Sequence, residues 1–106
     1  MYEKAFEIAL REAGFEVGRQ VAIPVWFRGH QIGDFYADLV VNGLVILELK
    51  ASRELDSSHE AQLLNYLRAS TVEIGLIVNF GPKPQIKRLI FDNERKRRRE
   101  VPETPV

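Results

Sequence analysis

The sequence contains no cysteine among its 106 residues. Disulfide staples and thiolate metal sites are therefore excluded. It also has no apolar run approaching the ~20 residues of a membrane span, so no membrane partner is expected. Met1 to Leu10 is amphipathic and carries Glu3 and Glu7, which is not the pattern of a secretory signal. A cytoplasmic setting is expected. An excess of charge of one sign is missing too, since 15 basic residues balance 15 acidic ones. That balance is uneven along the chain. Arg95, Lys96, Arg97, Arg98 and Arg99 form one basic run, and without it the rest of the chain is acidic. A nucleic-acid binder ordinarily presents a basic face. The run can contact phosphates through sequence-blind, salt-dependent attraction, or it can be a solvated tail.

What the sequence does have is an ordinary globular mixture, 45% hydrophobic and 28% charged. A chain of this length suits one domain and can bury a core without staples. Tyr2 to Ala13 carries Ala5, Phe6, Ala9, Leu10 and Ala13 at helical spacing, and Gly14 can stop the helix. Glu16 to Arg28 reads as a strand in which Pro24 calls for an edge position or a bulge. Gly29 and Gly33 mark a turn, and Ile32 to Val41 forms a second strand. Asn42-Gly43 is a hairpin signal. Leu44 to Lys50 is apolar enough to be a strand buried on both faces. Ser57 followed by Glu60 predicts a capping box that starts a helix ending near Ala69. Glu73 to Phe80 and, more weakly, Ile86 to Phe91 complete the strands. The predicted fold is a single α/β (α+β) domain with a mixed sheet, in the order αβββαβ(β). It spans residues 1–92, and a charged, flexible tail spans 93–106.

Two features resist a purely structural reading. Glu48 and Lys50 interrupt the apolar run Leu44–Ala51, and Asp38 immediately precedes Leu39-Val40-Val41. Charges are rarely buried unless they are paired or bind a metal, although Glu48 and Lys50 could simply meet solvent at a strand end. The hairpin register separates these readings. A two-residue loop pairs Val41 with Leu44 and sends Asp38 and Glu48 to opposite faces. A three-residue loop with Gly43 left-handed pairs Val40 with Leu44 and places Asp38, Ile46, Glu48 and Lys50 on one face. The second register is predicted. Carboxylates so placed suit Mg²⁺ or Mn²⁺. A divalent cation there would polarise a phosphodiester oxygen and acidify water, and Lys50 could orient that water.

On the second helix, His59, Gln62 and Tyr66 form a polar stripe between apolar neighbours. This is either an exposed face or a set that supports the carboxylates. Trp26, Phe27, Phe35 and Tyr36 could stack on bases, but packing in a core or interface is expected of them. His30 lies in a turn and is assigned no role.

These residues carry a resemblance. Asp38-x9-Glu48-x-Lys50, followed by Gln62-x3-Tyr66 on a helix, resembles the PD-(D/E)xK nuclease superfamily, and the Gln-x3-Tyr element is similar to its RecB-type branch. The fuller strings Gln20–Val25, Ala37-Asp38-Leu39, Glu48–Ala51, His59–Leu67 and Gly75–Gly81 resemble the small bacterial GxxExxR proteins of that superfamily. The likeness covers residues 2 to 91. It implies a restriction-endonuclease-like αβββαβ core, a metal held by Asp38, Glu48 and the Leu49 carbonyl, and catalytic roles for Asp38, Glu48, Lys50, Gln62 and Tyr66. The family's name-giving Gly-x-x-Glu would precede Tyr2, so a shortened member is expected, with Glu3 or Glu7 as candidates for a further metal-site carboxylate. Apolar surface left open at that end favours a homo-oligomer. The expected function is a Mg²⁺- or Mn²⁺-dependent nuclease acting on DNA, with Lys50, His59 and the Arg95–Arg99 run contacting nucleic acid. The alternative is a catalytically silent nuclease-like module that binds nucleic acid or protein.

Overall fold

The protein is described by a computed structural model covering residues 2–94 and residue 96. Its elements are α1 (Tyr2–Glu12), β1 (Val17–Phe27), β2 (His30–Val41), β3 (Val45–Lys50), α2 (Ser57–Ala69), β4 (Ile74–Asn79) and β5 (Gln85–Ile90). The five strands form one sheet in sequence order. β1, β2 and β3 are an antiparallel meander, β4 runs parallel to β3 after the α2 crossover, and β5 returns antiparallel. This is the predicted mixed α+β sheet. Pro24 sits on β1, an edge strand, where its missing N–H breaks no inner ladder. β3 lies at the centre, as its apolar run requires.

Each face of the sheet carries one helix. Ile23, Phe35, Ala37, Ile46 and Ile77 pack beneath Leu63 and Leu67 of α2. Val17, Leu39 and Leu47 pack beneath Phe6 and Leu10 of α1. Tyr2 and Phe6 also hold Phe80 between helix and sheet, with Tyr2 stacked on its ring at 4.9 Å.

The α2 start differs from expectation. Asp56 is the N-cap, accepting from the N–H groups of Ser58 and His59, and the His59 ring accepts the Asp56 N–H. A carboxylate one residue upstream displaces Ser57, because it accepts several bonds at once and complements the positive helix end. Hydrogen bonds from the Ser58 hydroxyl and the Ser58 N–H, with a smaller contribution from His59, hold the Asp56 carboxyl below its ordinary pKa. Asp56→Ala is expected to lower the melting temperature by a few degrees, measured by thermal denaturation followed by circular dichroism.

Asn93 and Lys96, which fall within the expected tail, are tied to the body of the domain. Asn93 donates to the Glu73 carboxylate and to Thr71 O, and Lys96 is buried. The Lys96 ammonium donates to Ser70 O at 2.8 Å, Val72 O at 2.7 Å and Asn93 Oδ1 at 2.9 Å. It closes the chain leaving the C-terminal end of α2, which is why it is not the phosphate contact expected from the sequence. Arg95, Arg97, Arg98 and Arg99 lie outside the described residues.

Candidate metal centre on the second and third strands

The β2–β3 hairpin joins Val41 to Val45 across Asn42, Gly43 and Leu44. The loop has the predicted three residues with Gly43 left-handed (φ +67°), and Asn42 is left-handed as well (φ +53°). The closing pair is Val41–Val45 rather than the predicted Val40–Leu44. Asn42 takes the positive φ that an aspartate- or asparagine-like side chain tolerates, and its Oδ1 accepts the Glu16 N–H. The turn therefore closes one residue further along both strands. Side-chain parity is kept, so Asp38 still shares a face with Glu48 and Lys50. Its partner becomes Glu48 instead of Ile46.

The ladder between β2 and β3 ends at Leu39–Leu47. Beyond it, carboxylates replace rungs. The Asp38 N–H donates to Glu48 Oε2 at 3.2 Å, and the Leu49 N–H donates to Asp38 Oδ2 at 2.8 Å. Both carboxylates are thus fixed by backbone donors at the point where the strands part. In a strand, the N–H and C=O of one residue point to the same side. The Leu49 carbonyl therefore faces β2 beside Asp38, whereas the Lys50 carbonyl faces β4 and accepts the Phe80 N–H.

Glu48 is pushed from 4.5 up to about 7, chiefly by burial, with the Asp38 charge adding to it. The Asp38 N–H and the Lys50 ammonium oppose that shift. The sign for stability follows from linkage. A carboxyl raised in the fold stabilises it when protonated, so this contribution is present below about 4.5 and lost as pH rises through about 7. In metal-free protein, the melting temperature of the native chain should fall across that window relative to Glu48→Gln. Parallel melting curves for the two proteins check this.

A narrow cleft opens beside Glu48. Lys50, His59, Gln62, Leu63, Tyr66 and Ile77 complete its lining, and its volume of about 10 Å³ is close to that of one water site. The predicted helical stripe is therefore brought to Glu48 and Lys50. Gln62 Nε2 donates to Tyr66 Oη at 3.3 Å, and the Tyr66 ring stacks on Phe35 at 4.0 Å. His59 faces the same cleft while serving in the cap.

Glu3 and Glu7 do not join. Among the described residues no group of three His, Asp or Glu side chains comes together. Glu3 accepts from Gln20 Nε2 at 3.1 Å. Glu7 is buried under α1, ion-paired to Arg11 at 3.1 Å and near Lys4 and Arg19. Glu7 lies on the helix face that packs over the sheet near Val17, which ties it to the α1 side, away from α2.

Asn79 is a residue the sequence reading passed over. It is 1% exposed and pairs with Lys50 across β3–β4. Its amide donates to Ser52 O and Lys83 O, and its Oδ1 accepts from the Ser52 and Gly81 N–H groups. The one available signal was an amide inside the apolar run Gly75–Phe80, since a buried amide must find partners.

A five-stranded sheet flanked by two helices, with a carboxylate pair and a lysine where two central strands part, defines the restriction-endonuclease-like class. The chain belongs to the PD-(D/E)XK nuclease superfamily, whose family model matches residues 1–89. Among solved structures it is similar to SSO0001, at 19% identity and a TM-score of 0.64 over 97% of this chain and 57% of that one. It is also similar to an alkaline exonuclease, LHK-Exo, from Laribacter hongkongensis. That match has 13% identity and a TM-score of 0.60 over 94% of this chain and 62% of the exonuclease. The chain thus spans about three fifths of the length of either structure, and at these identities the likeness is one of fold. Comparison with curated proteins gives no match.

Proposed function

We propose that the chain is a divalent-metal-dependent nuclease that hydrolyses phosphodiester bonds in DNA, with one domain ending near residue 92. Within the superfamily, the residue strings support placement among the GxxExxR proteins. The observation that carries the reading is the mutual fixing of Asp38 and Glu48 by backbone donors, beside Lys50 in the cleft. Free carboxylate oxygens and the Leu49 carbonyl are hard donors, and Mg²⁺ is commonly held by one or two carboxylates plus waters. The upward push on Glu48 comes chiefly from burial, with the Asp38 charge adding to it, and a bound cation would relieve both. These donors fit the ion. When bound, it supplies Lewis-acid activation of the scissile phosphate and of water.

The chain's own residues do the rest. Lys50 presents a compact ammonium at the cleft and offsets charge that develops on the phosphate oxygens. Gln62 and Tyr66 offer an amide and a hydroxyl already bonded to each other, which can hold the attacking water or a phosphate oxygen. The Phe35 stack keeps the Tyr66 ring from turning away.

The test combines calorimetric titration with Mg²⁺ and Mn²⁺ and incubation with plasmid, single-stranded DNA and RNA. Glu48→Ala and Lys50→Ala serve as controls. Metal binding together with cleavage lost in both variants supports the proposal. Equal cleavage in all three proteins means contamination, and neither binding nor cleavage overturns the reading.

A further inference from the structure

Lys50 has little of its own to hold it. Among the described residues no hydrogen bond engages its ammonium, so the place of that charge is set by its backbone. β3 ends at Lys50, and the loop 51–56 leads from it to α2. The cleft therefore has two walls joined by this loop. Glu48 and Lys50 stand on β3, and His59, Gln62 and Tyr66 stand on α2. Further along α2 the seat is firm. Phe35, the one buried aromatic of the β1–β2 hairpin, stacks on Tyr66, while Trp26, Phe27 and Tyr36 stay exposed. Nearer the cleft, the ion pair between Glu60 and Lys87 at 3.7 Å is solvent-exposed and adds little. The loop conformation thus governs how far Lys50 stands from Gln62 and Tyr66.

Two side-chain amides hold that loop. Asn79 lies opposite Lys50 in the parallel ladder, and Gln85 lies opposite Asn79 in the antiparallel one. The three side chains form one row on the face beneath α2. Asn79 Oδ1 accepts the Ser52 N–H at 3.0 Å, and its Nδ2 donates to Ser52 O at 3.1 Å. A strand peptide makes the same two kinds of bond, so the side chain continues the ladder past the end of β3. Gln85 Oε1 accepts the Leu55 N–H at 3.0 Å, one residue before the Asp56 cap. One amide pins the start of the loop and the other pins its end. Asn79 also accepts the Gly81 N–H and donates to Lys83 O, and at 1% exposure it has no water to turn to. A buried amide without partners is costly, so these bonds persist and the loop keeps one conformation.

We infer that Asn79 and Gln85 are positioning residues, a two-point clamp that sets Lys50 at its working distance from Gln62 and Tyr66. Neither amide acts on the phosphate itself. This rests on the proposed nuclease function and makes the width of its cleft a property of β4 and β5.

Gln85→Leu keeps the side-chain length and removes the acceptor, whereas Gln85→Glu keeps the acceptor. Asn79→Ala removes the other pin. If Asn79→Ala does not fold, the two Gln85 variants carry the test. All are compared with the native full chain below the melting transition of every variant. The first measurement is carbon-13 relaxation of lysine side chains in metal-free protein, with exposed Lys4 as the internal reference. Lys50 should become more mobile in Gln85→Leu and Asn79→Ala and stay native-like in Gln85→Glu. The second is cleavage in Mn²⁺ beside calorimetric metal titration. A displacement of ~1 Å at the chemistry costs about a hundredfold in rate. The kcat should therefore fall about tenfold in Gln85→Leu and about a hundredfold in Asn79→Ala, with KM and metal affinity retained. Gln85→Glu should hold the native rate. A merely structural role would lower the melting temperature and leave Lys50 mobility unchanged below the transition. Unchanged Lys50 mobility in Gln85→Leu overturns the inference, as does an equal loss of rate in Gln85→Leu and Gln85→Glu. A loss confined to KM does the same. Raised mobility without cleavage by the native chain removes the nuclease reading and leaves the clamp. Native cleavage with unchanged mobility and rate in every variant removes only the clamp.

Discussion

Alanine in place of Lys50 is expected to lower the rate of the proposed phosphodiester cleavage by about two to four orders of magnitude. The protein should still fold, with a melting temperature near that of the native chain. The side chain lines the cleft and is only partly buried, so little apolar packing is lost with it. What is lost is a compact positive charge set beside Glu48. Lys50→Arg is the informative companion. It keeps the charge but replaces a point ammonium by a wide planar fork, which the narrow cleft cannot seat in the same place. Its rate should lie between native and alanine. Single-turnover cleavage in Mn²⁺, beside calorimetric metal titration, separates the causes. Loss of rate with metal affinity retained assigns Lys50 to the chemistry. Loss of both would instead make it part of the metal site.

Gly81→Ala should destabilise the fold by ~3 kcal/mol or more, a large share of the ~5–15 kcal/mol that small domains possess. A Cβ at Gly81 would lie 1.7 Å from the Ser52 carbonyl oxygen and 2.8 Å from its carbon. The obstacle is backbone, so no rotamer change relieves it. The Ser52 and Gly81 strands of loop must separate, and both are tied to the Asn79 amide. Ser52 follows Lys50 by two residues, so the same shift disturbs the lysine. Denaturant unfolding measures the first effect and cleavage rate the second. Gly29→Ala, at an exposed turn with open space around the Cβ position, is a control for backbone strain alone, since its φ is +79°.

Most of the architecture was legible because local patterns and global packing agree. The α2 span was read correctly, since a sharp cap precedes apolar residues at helical spacing. The central place of β3 followed from its apolar run, and Pro24 left an edge or a bulge for β1, of which the sheet order shows the edge. The cap was misplaced by one residue because Ser57 and Asp56 are both good caps in isolation, and three-dimensional fit chose between them. The hairpin loop length was legible, while its closing pair was not. The shift depends on Asn42 bonding to Glu16, a residue on the far side of β1. Trp26, Phe27 and Tyr36 were expected to pack. Nothing local reveals that α1 and α2 leave these positions uncovered.

The sequence by itself determined that Glu48 and Lys50 share a face, and that Asp38 joins them if the hairpin loop is odd in length, whatever the closing pair. It likewise determined that Gln62 and Tyr66 stand one helical turn apart. Tertiary structure decided which groups actually meet. It set Asp38 opposite Glu48 rather than Ile46, sent Glu7 to the α1 side of the sheet, committed Lys96 to backbone carbonyls, and made Asn79 the clasp behind Lys50. The physical reason is range. Parity and periodicity are properties of a few consecutive residues, whereas a buried polar group takes whichever partner the packing of distant elements brings within about 3 Å.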